Sequence, residues 1–192
     1  MKRFALLMVG GALALGACHK EATTNDAAMN DGMTVNDTMT NDMSATNDMG
    51  TTAATGTADT AFLTEAIKGD NSEVAIGNLA ATQGMSAAAK DFGKMLAADH
   101  GAHKVKAAAL LTGAGGTSTD ALSDEGQATL DKLKALKGAD FDKAFKTAMV
   151  EDHNKDIAKN EKQAAGTDAA IAQLAKDTLP TLKKHLAAAQ AL

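Results

Sequence analysis

The chain has 192 residues and a formal net charge of −5 at pH 7, with one cysteine, one proline and neither tryptophan nor tyrosine. Its only arginine is Arg3, so it lacks the guanidinium groups and aromatic platforms that hold nucleic acids, and nucleic acid is not an expected partner. A single cysteine excludes an internal disulfide. The absence of a Gly-x-Ser-x-Gly motif and of a phosphate-binding glycine loop disfavours hydrolases and nucleotide-binding enzymes.

Residues 1–17 are typical of a cleaved secretory leader. Two basic residues precede an apolar run over residues 4–15, which is too short to span a bilayer. Small residues then lead into Cys18, and this order resembles the lipobox of bacterial lipoproteins. The resemblance implies that Cys18 is acylated and that its lipid is the membrane partner; His19 at the next position favours the outer membrane, with the domain facing the periplasm. The alternative is an ordinary leader followed by an incidental cysteine.

Residues 18–59 are predicted to form the lipidated cysteine and a disordered tether. Asn, Asp, Thr, Ala and Met dominate this segment and Val35 is its one branched aliphatic residue, so it cannot bury enough apolar area to offset its ordering entropy. Its methionines recur at a spacing of alternately four and six residues: Met29, Met33, Met39, Met43 and Met49. Thioethers suit Cu(I), which makes Cu(I) handling by the tail one hypothesis; a linker lengthened by repeat slippage is the other.

From residue 60 onward the apolar residues recur at helical spacing, which predicts an all-α domain over residues 60–192. Capping residues and glycines set the ends of the helices. The five predicted helices are 60–82, from the cap Ser86 to about 111, from the cap Ser123 to about 136, from the cap Asp140 to 166, and from Asp168 to the end. Four long helices and one short helix indicate a bundle.

The connections predict how these helices are arranged. The short turns at 84–85 and 166–167 require antiparallel helix pairs. Residues 112–139, which include the short third helix, are long enough to cross the bundle from end to end as in ferritin-like folds, so we expect an antiparallel, ferritin-like four-helix bundle. A simple up-and-down bundle with the short helix as a lid is the alternative. Pro180 is expected to kink or break the last helix.

Polar residues interrupt the apolar stripe of the second predicted helix. With about 100° per residue and Phe92 set at zero, Asp99 and His103 lie within about 20° of the centre of the stripe, and His100 lies near its edge at about 80°. Two titratable side chains are therefore expected to point into the bundle.

The fourth predicted helix repeats this pattern. Counting from Phe145 places Asp152 and Asp156 near the centre of the stripe and His153 near its edge. Both helices thus carry the spacing Phe-x6-Asp-His. The coincidence indicates either a duplicated helix hairpin or a common requirement at the centre of the bundle.

Two further side chains come from the outer helices. Glu73 shares a face with apolar residues of the first helix and lies at nearly the height of Asp99, while His185 lies between inward residues of the last helix. The predicted site comprises Glu73, Asp99, His100, His103, Asp152, His153, Asp156 and His185. Buried acids and imidazoles are costly unless paired or bound to metal. The cluster is therefore either a site for Fe, Mn or Zn or a proton-sharing network that fixes helix register.

Ordered motifs in this region resemble a known family. They are Phe62-Leu63-x-Glu65-Ala66, Glu73-Val74-x-Ile76-Gly77-x-Leu79-Ala80, Phe92-x-x-Met95-x3-Asp99-His100, Phe145-x3-Met149-Val150-x-Asp152-His153 and Thr178-Leu179-Pro180-Thr181-Leu182-x-x-His185-Leu186. Over roughly residues 60 to 190 they resemble the bacterial domain-of-unknown-function family four-one-four-two. Its members are grouped with ferritin-like folds and are often labelled outer membrane proteins, so the resemblance implies that fold and an envelope location.

The resemblance also concerns individual polar residues. It implies that six predicted site residues match the family's polar motif positions: Glu73, Asp99, His100, Asp152, His153 and His185. The other two, His103 and Asp156, rest on the stripe geometry alone. The leading hypothesis is a non-enzymatic, lipid-anchored periplasmic bundle with an envelope or stress-related role, in which the polar centre is a structural network or, alternatively, a transition-metal site. The competing hypothesis is a di-iron oxidase or ferroxidase, although the Glu-x-x-His signature of such bundles is absent.

Overall fold

The structure is a computed structural model that describes residues 56–192. The predicted leader, the predicted lipidation site Cys18 and the predicted tether as far as residue 55 lie outside the described residues. Five helices and no strand are present in the described part of the chain, which confirms the all-α prediction. They are α1 (Thr57–Gln83), α2 (Ala87–Gly113), α3 (Asp124–Lys134), α4 (Gly138–Gln163) and α5 (Ala169–Ala191). None of them has both the length and the apolar composition of a membrane-spanning helix.

Side-chain caps begin three of the helices where the sequence predicts them. Ser86 accepts a hydrogen bond from the Ala89 amide, Ser123 from Gly126, and Asp168 from Ala170 and Ile171. These bonds satisfy amides that have no partner within the helix.

Two predicted helix boundaries are wrong. Asp140 does not cap α4: the chain enters the helix through Gly138, at a φ of 60°, and Asp140 lies within the first turn. There its charge favours the helix dipole without capping. The first helix also begins earlier than predicted, at Thr57, where Asp59 accepts a hydrogen bond of 2.7 Å from Gln163 of α4. This contact ties the start of α1 to the end of α4.

The predicted break at Pro180 is absent, because α5 continues through this residue to Ala191. Proline removes the amide that would bond to the carbonyl of Lys176. Both residues are exposed, so this carbonyl lies on the solvent side of the helix, where water can replace the missing donor.

Ring contacts fix the topology of the bundle. Phe92 and Phe145 lie 5.6 Å apart between ring centroids, and His100 and His153 lie 5.8 Å apart. Residue numbers rise together in these pairs, so α2 and α4 are parallel. The connection between them must therefore return along the length of the bundle. This is the crossover of a ferritin-like bundle, and it excludes the up-and-down alternative.

The crossover is attached to α1 by side-chain amides. Asn71 donates to the carbonyl of Thr119 at 2.9 Å, and Gln83 donates to the carbonyl of Leu133 at 3.0 Å. These bonds hold the loop and α3 against α1 and fix one wall of the cleft described below.

Two apolar clusters leave a polar layer between them. One cluster is built around Phe92, Phe145 and Met149, and the other around Leu63 and Leu111. On each long helix, the buried polar residues lie either between the segments that contribute to the two clusters or next to one such segment. The apolar packing therefore positions a buried polar centre near the middle of the bundle.

Asp142 supports the turn between α1 and α2, and its replacement by asparagine tests this role. The carboxylate accepts hydrogen bonds from the amides of Met85 at 2.9 Å and Ser86 at 2.8 Å. Burial opposes ionisation, but these amides outweigh it and keep the pKa of Asp142 below its ordinary value. We expect Asp142→Asn to lower the free energy of unfolding by about 1 kcal/mol at pH 7, measured by urea denaturation.

The pH dependence gives the sign of this effect. Because the folded-state pKa of Asp142 is depressed, its charge stabilises the fold above the unfolded-state pKa, and this stabilisation is lost as the pH falls through the folded value. The difference between Asp142→Asn and wild type should therefore shrink toward pH 3. Asp140→Asn, at an exposed position of the same first turn, is the control and should change little. An equal difference at pH 7 and pH 3 would contradict the assignment.

Candidate metal centre

Each of the four long helices contributes a buried polar side chain to the central layer. These are Glu73 on α1, His100 on α2, His153 on α4 and His185 on α5, with exposures of 1%, 5%, 0% and 0%. The imidazole rings lie 5.3 to 5.8 Å apart between centroids. We call His100, His153 and His185 the histidine triad.

Each ring of the histidine triad is held through one nitrogen. The contacts are His100 Nδ1 to Asp70 Oδ1 at 2.9 Å, His153 Nδ1 to the Met149 carbonyl at 2.9 Å, and His185 Nε2 to Asp99 Oδ2 at 2.8 Å. In each the ring N–H donates to an oxygen. Metal-binding histidines are oriented in the same way, by a carboxylate or carbonyl on the far nitrogen.

The remaining nitrogen of each ring has no partner. His100 Nε2, His153 Nε2 and His185 Nδ1 are buried without a hydrogen bond. The three rings can each offer a nitrogen within 4.8 Å of the others. A buried polar atom without a partner costs about 1–3 kcal/mol, so three such atoms on three rings in mutual contact indicate that the site receives a ligand.

Glu73 lies on the other side of two of these rings. Its Oε2 is 2.8 Å from His100 Nδ1 and its Oε1 is 3.5 Å from His153 Nδ1, yet neither oxygen has hydrogen-bond geometry. Burial raises the pKa of Glu73, but the charge and contact of His100, together with the charges of His153 and His185, outweigh burial and lower it. Burial lowers the pKa of His100, but Glu73 and Asp70 outweigh it and hold the pKa well above its ordinary value. Without metal the two residues therefore form an ion pair.

His185 has the opposite protonation. Burial lowers its pKa, and the hydrogen bond that its ring donates to Asp99 only partly offsets this effect. His185 is therefore neutral at pH 7 and has a lone pair available, as a metal ligand requires.

Two partly buried acids of α4 face Glu73. Asp152 and Asp156 can each place a carboxylate oxygen within 4.8 Å of a Glu73 oxygen and of each other. Burial, followed by the charge of Glu73, raises the pKa of Asp152 to about 7 and also raises that of Asp156. Lys159 pairs with Asp156 at 3.0 Å. The acids thus form a region of concentrated negative charge beside the histidine triad.

A cleft of about 970 Å³ opens onto this region between α1, α3 and α4. Asp70, His100, Asp152 and Asp156 lie on its wall. The cleft gives small solutes a route from solvent to the acids.

A family model described as Domain of unknown function (DUF4142) matches residues 43–192. The chain belongs to this family. No curated protein and no solved structure matches it. The resemblance found in the sequence motifs is therefore confirmed for the family, and the DUF4142 match covers all of the described helices.

On α2 of the DUF4142 domain, the predicted site residues are not buried in the way that the sequence predicts. His100, predicted at the edge of the stripe, is buried, whereas Asp99 keeps 37% of its side chain exposed and orients His185. His103 lies outside the histidine triad and bonds through Nδ1 to Asp70 Oδ2 at 2.8 Å. The centre of the buried face of α2 lies roughly 50° around the helix from Phe92, because Phe92 lies at one side of that face.

The same shift occurs on α4. His153 is fully buried, while Asp152 and Asp156 are partly buried and face the cleft. The eight predicted residues of the DUF4142 domain thus divide into three parts: the histidine triad, the acid group of Glu73, Asp152 and Asp156, and the flanking residues Asp99 and His103.

One residue of the site was missed in the sequence. Asp70 is 3% exposed and accepts hydrogen bonds from both His100 and His103. It lies three residues before Glu73 and so on the same helix face, which is a signal that could have identified it.

Proposed function

We propose that this domain binds one divalent transition-metal ion between His100, His153 and His185. The observation that carries the proposal is the set of three unpartnered, buried ring nitrogens, each opposite a nitrogen that is already held. Imidazole donors suit Zn, Fe, Ni and Cu. A three-histidine site leaves one coordination position for water or another ligand.

The alternative of a purely structural network explains these atoms less well. Such a network stabilises a bundle when every member is satisfied. Here one nitrogen of each ring is hydrogen-bonded, whereas His100 Nε2, His153 Nε2 and His185 Nδ1 have no partner. A bound ion satisfies all three at once.

A di-iron oxidase is also supported less well. Its carboxylates must bind the same metals as its histidines, but Glu73 contacts Nδ1 of His100 and His153, on the edge of each ring opposite the free Nε2. We therefore propose metal binding without assigning a reaction.

A cobalt titration tests the histidine site. The full chain carrying Cys18→Ser, which removes thiolate binding, is treated with chelator and titrated with Co²⁺ while the visible absorption of the ion is recorded. We expect one equivalent to bind, and His153→Ala to weaken binding by at least a hundredfold. His103→Ala is the matched control, because His103 is a neighbouring histidine outside the histidine triad, and it should bind within a few-fold of wild type.

The contradicting results are equally specific. Equal affinities of His153→Ala and His103→Ala, or no saturable binding by wild type, would overturn the proposal. Circular dichroism checks that each variant folds, and His185→Gln serves as a second variant if His153→Ala does not.

We also propose that the domain is held at the periplasmic face of the outer membrane through lipid on Cys18. Support comes from the basic, apolar and small-residue order of residues 1–17 directly before this cysteine. Labelling of cells with radioactive palmitate should mark the wild-type chain and leave Cys18→Ser unmarked. Labelling of both chains, or of neither, would contradict the lipid anchor.

A further inference from the structure

Glu73, Asp152 and Asp156 form an acid group that is separate from the histidine triad. Each offers a carboxylate oxygen within 4.8 Å of the other two. Glu73 is 1% exposed and neither of its oxygens has a hydrogen-bond partner. Asp152 makes no hydrogen bond or ion pair within residues 56–192. Asp152 is therefore without a partner, and Glu73 has only its charge contacts with His100 and His153, neither with hydrogen-bond geometry.

The neighbouring cations neutralise only part of this group. Lys159 pairs with Asp156 alone and keeps 62% of its side chain exposed. His100 contacts Glu73 but also bonds to Asp70. Three carboxylates this close repel one another, and the repulsion is relieved when one of them takes a proton or when a cation lies between them.

The acid group and the histidine triad face different ways. Glu73 meets Nδ1 of His100 and of His153, whereas their unpartnered Nε2 atoms lie on the opposite edge of each ring. A cation held by the acids therefore does not share the position of an ion held by the histidines.

The cleft gives cations a route from solvent to the acid group. Asp152 and Asp156 lie on its wall, and further acids, including Glu65, Asp124 and Glu151, line the same cleft. Acids on this wall outnumber lysines, and a negatively charged cleft raises the local concentration of cations.

We propose that Glu73, Asp152 and Asp156 bind a second divalent cation, of the hard class that prefers carboxylate oxygen, such as Mn²⁺, taken from the cleft. Oxygen ligands suit Mg, Ca and Mn, whereas imidazoles suit Zn, Fe and Cu. This inference goes beyond the proposed function because it adds a site with other ligands and another metal preference.

Manganese titration followed by electron paramagnetic resonance tests the second site, since the signal of hydrated Mn²⁺ falls on binding. The full chain carrying Cys18→Ser is first given one equivalent of Zn²⁺ to fill the histidine triad. We expect one further equivalent of Mn²⁺ to bind, and Asp152→Asn to weaken Mn²⁺ binding at least tenfold while Co²⁺ binding by the histidine triad stays within a few-fold. Glu151→Gln, an exposed neighbour on the same cleft wall, is the matched control and should match wild type.

Every other outcome overturns one of the two proposed sites. Equal Mn²⁺ binding by Asp152→Asn and Glu151→Gln, or no Mn²⁺ binding by wild type, overturns the second site. Loss of both Mn²⁺ and Co²⁺ binding in Asp152→Asn also overturns the second site, because a single shared site then accounts for both metals. This conclusion requires that circular dichroism shows folded protein and that Asp156→Asn loses both metals as well. Mn²⁺ binding without Co²⁺ binding would instead refute the histidine site and leave the acid site standing.

Discussion

Zinc is expected to raise the free energy of unfolding by about 4 kcal/mol when free Zn²⁺ exceeds the Kd of the histidine site a thousandfold. The ligands come from α2, α4 and α5, so only the folded bundle brings them together and only the folded state gains from binding. Urea denaturation followed by circular dichroism, with chelator or with buffered Zn²⁺, measures the shift. The midpoint should rise while the dependence on urea stays constant.

Two variants make this expectation specific. His185→Ala should unfold at the same urea concentration with zinc as with chelator, because one ligand is missing. His103→Ala should keep the full shift, because His103 lies outside the histidine triad. A shift of the same size in His185→Ala would mean that zinc stabilises the chain at some other position.

Replacing Gly93 by alanine is expected to lower the free energy of unfolding by about 3 kcal/mol. An added Cβ would lie 2.6 Å from the carbonyl oxygen of Gly77 and 2.8 Å from the amide of Ala81. These are backbone atoms of α1 and cannot rotate away, so the two helices must separate. Thermal or urea unfolding of the variant measures the loss.

Gly101→Ala is the matched control on the same helix. A Cβ at Gly101 would approach only Val74, at 4.0 Å. Since alanine also favours helix over glycine, this variant should be neutral or more stable by up to about 1 kcal/mol. Equal losses in the two variants would show that helix propensity, not the close approach of α1 and α2, governs the effect.

Local signals made the helices predictable. Ser86, Ser123 and Asp168 lie directly before apolar periodic segments and cap them as expected. Asp140 carries the same type of side chain but follows Gly138, and the left-handed conformation of that glycine starts the helix earlier. Cap residues therefore predict helix starts well only where no nearby glycine offers another start.

The site was predictable in composition but not in detail. Eight of its residues follow from polar positions near an apolar stripe, yet on α2 and α4 the angle of the stripe was measured from one phenylalanine on each helix. Phe92 and Phe145 pack against each other, so each lies toward its partner helix rather than at the centre of the buried face. Averaging over all buried positions of α2, including Leu96 and Ala107, would have placed His100 inside.

The repeated Phe-x6-Asp-His spacing has a physical explanation in the parallel pair. Phe92 meets Phe145 and His100 meets His153 at matching heights. A tandem copy of a hairpin would match α1 with α4 and α2 with α5, whereas the shared spacing lies on the second helix of one hairpin and the first of the other. A common requirement at the bundle centre therefore explains the spacing better than duplication does.

Contacts distant in sequence could not be foreseen. The hydrogen bond from Asn71 to Ala121 joins residues 50 apart, and no local pattern marks either partner. Such contacts depend on where the crossover comes to lie, which only the assembled bundle determines.

The parallel pairing of α2 and α4 also bears on the order of folding. Each hairpin forms from contacts close in sequence, which assemble quickly, whereas pairing α2 with α4 requires closure of the long crossover. Because the histidines come from both hairpins, their meeting point is completed last on the folding pathway. These histidines are also the first residues of the domain to separate when the hairpins come apart.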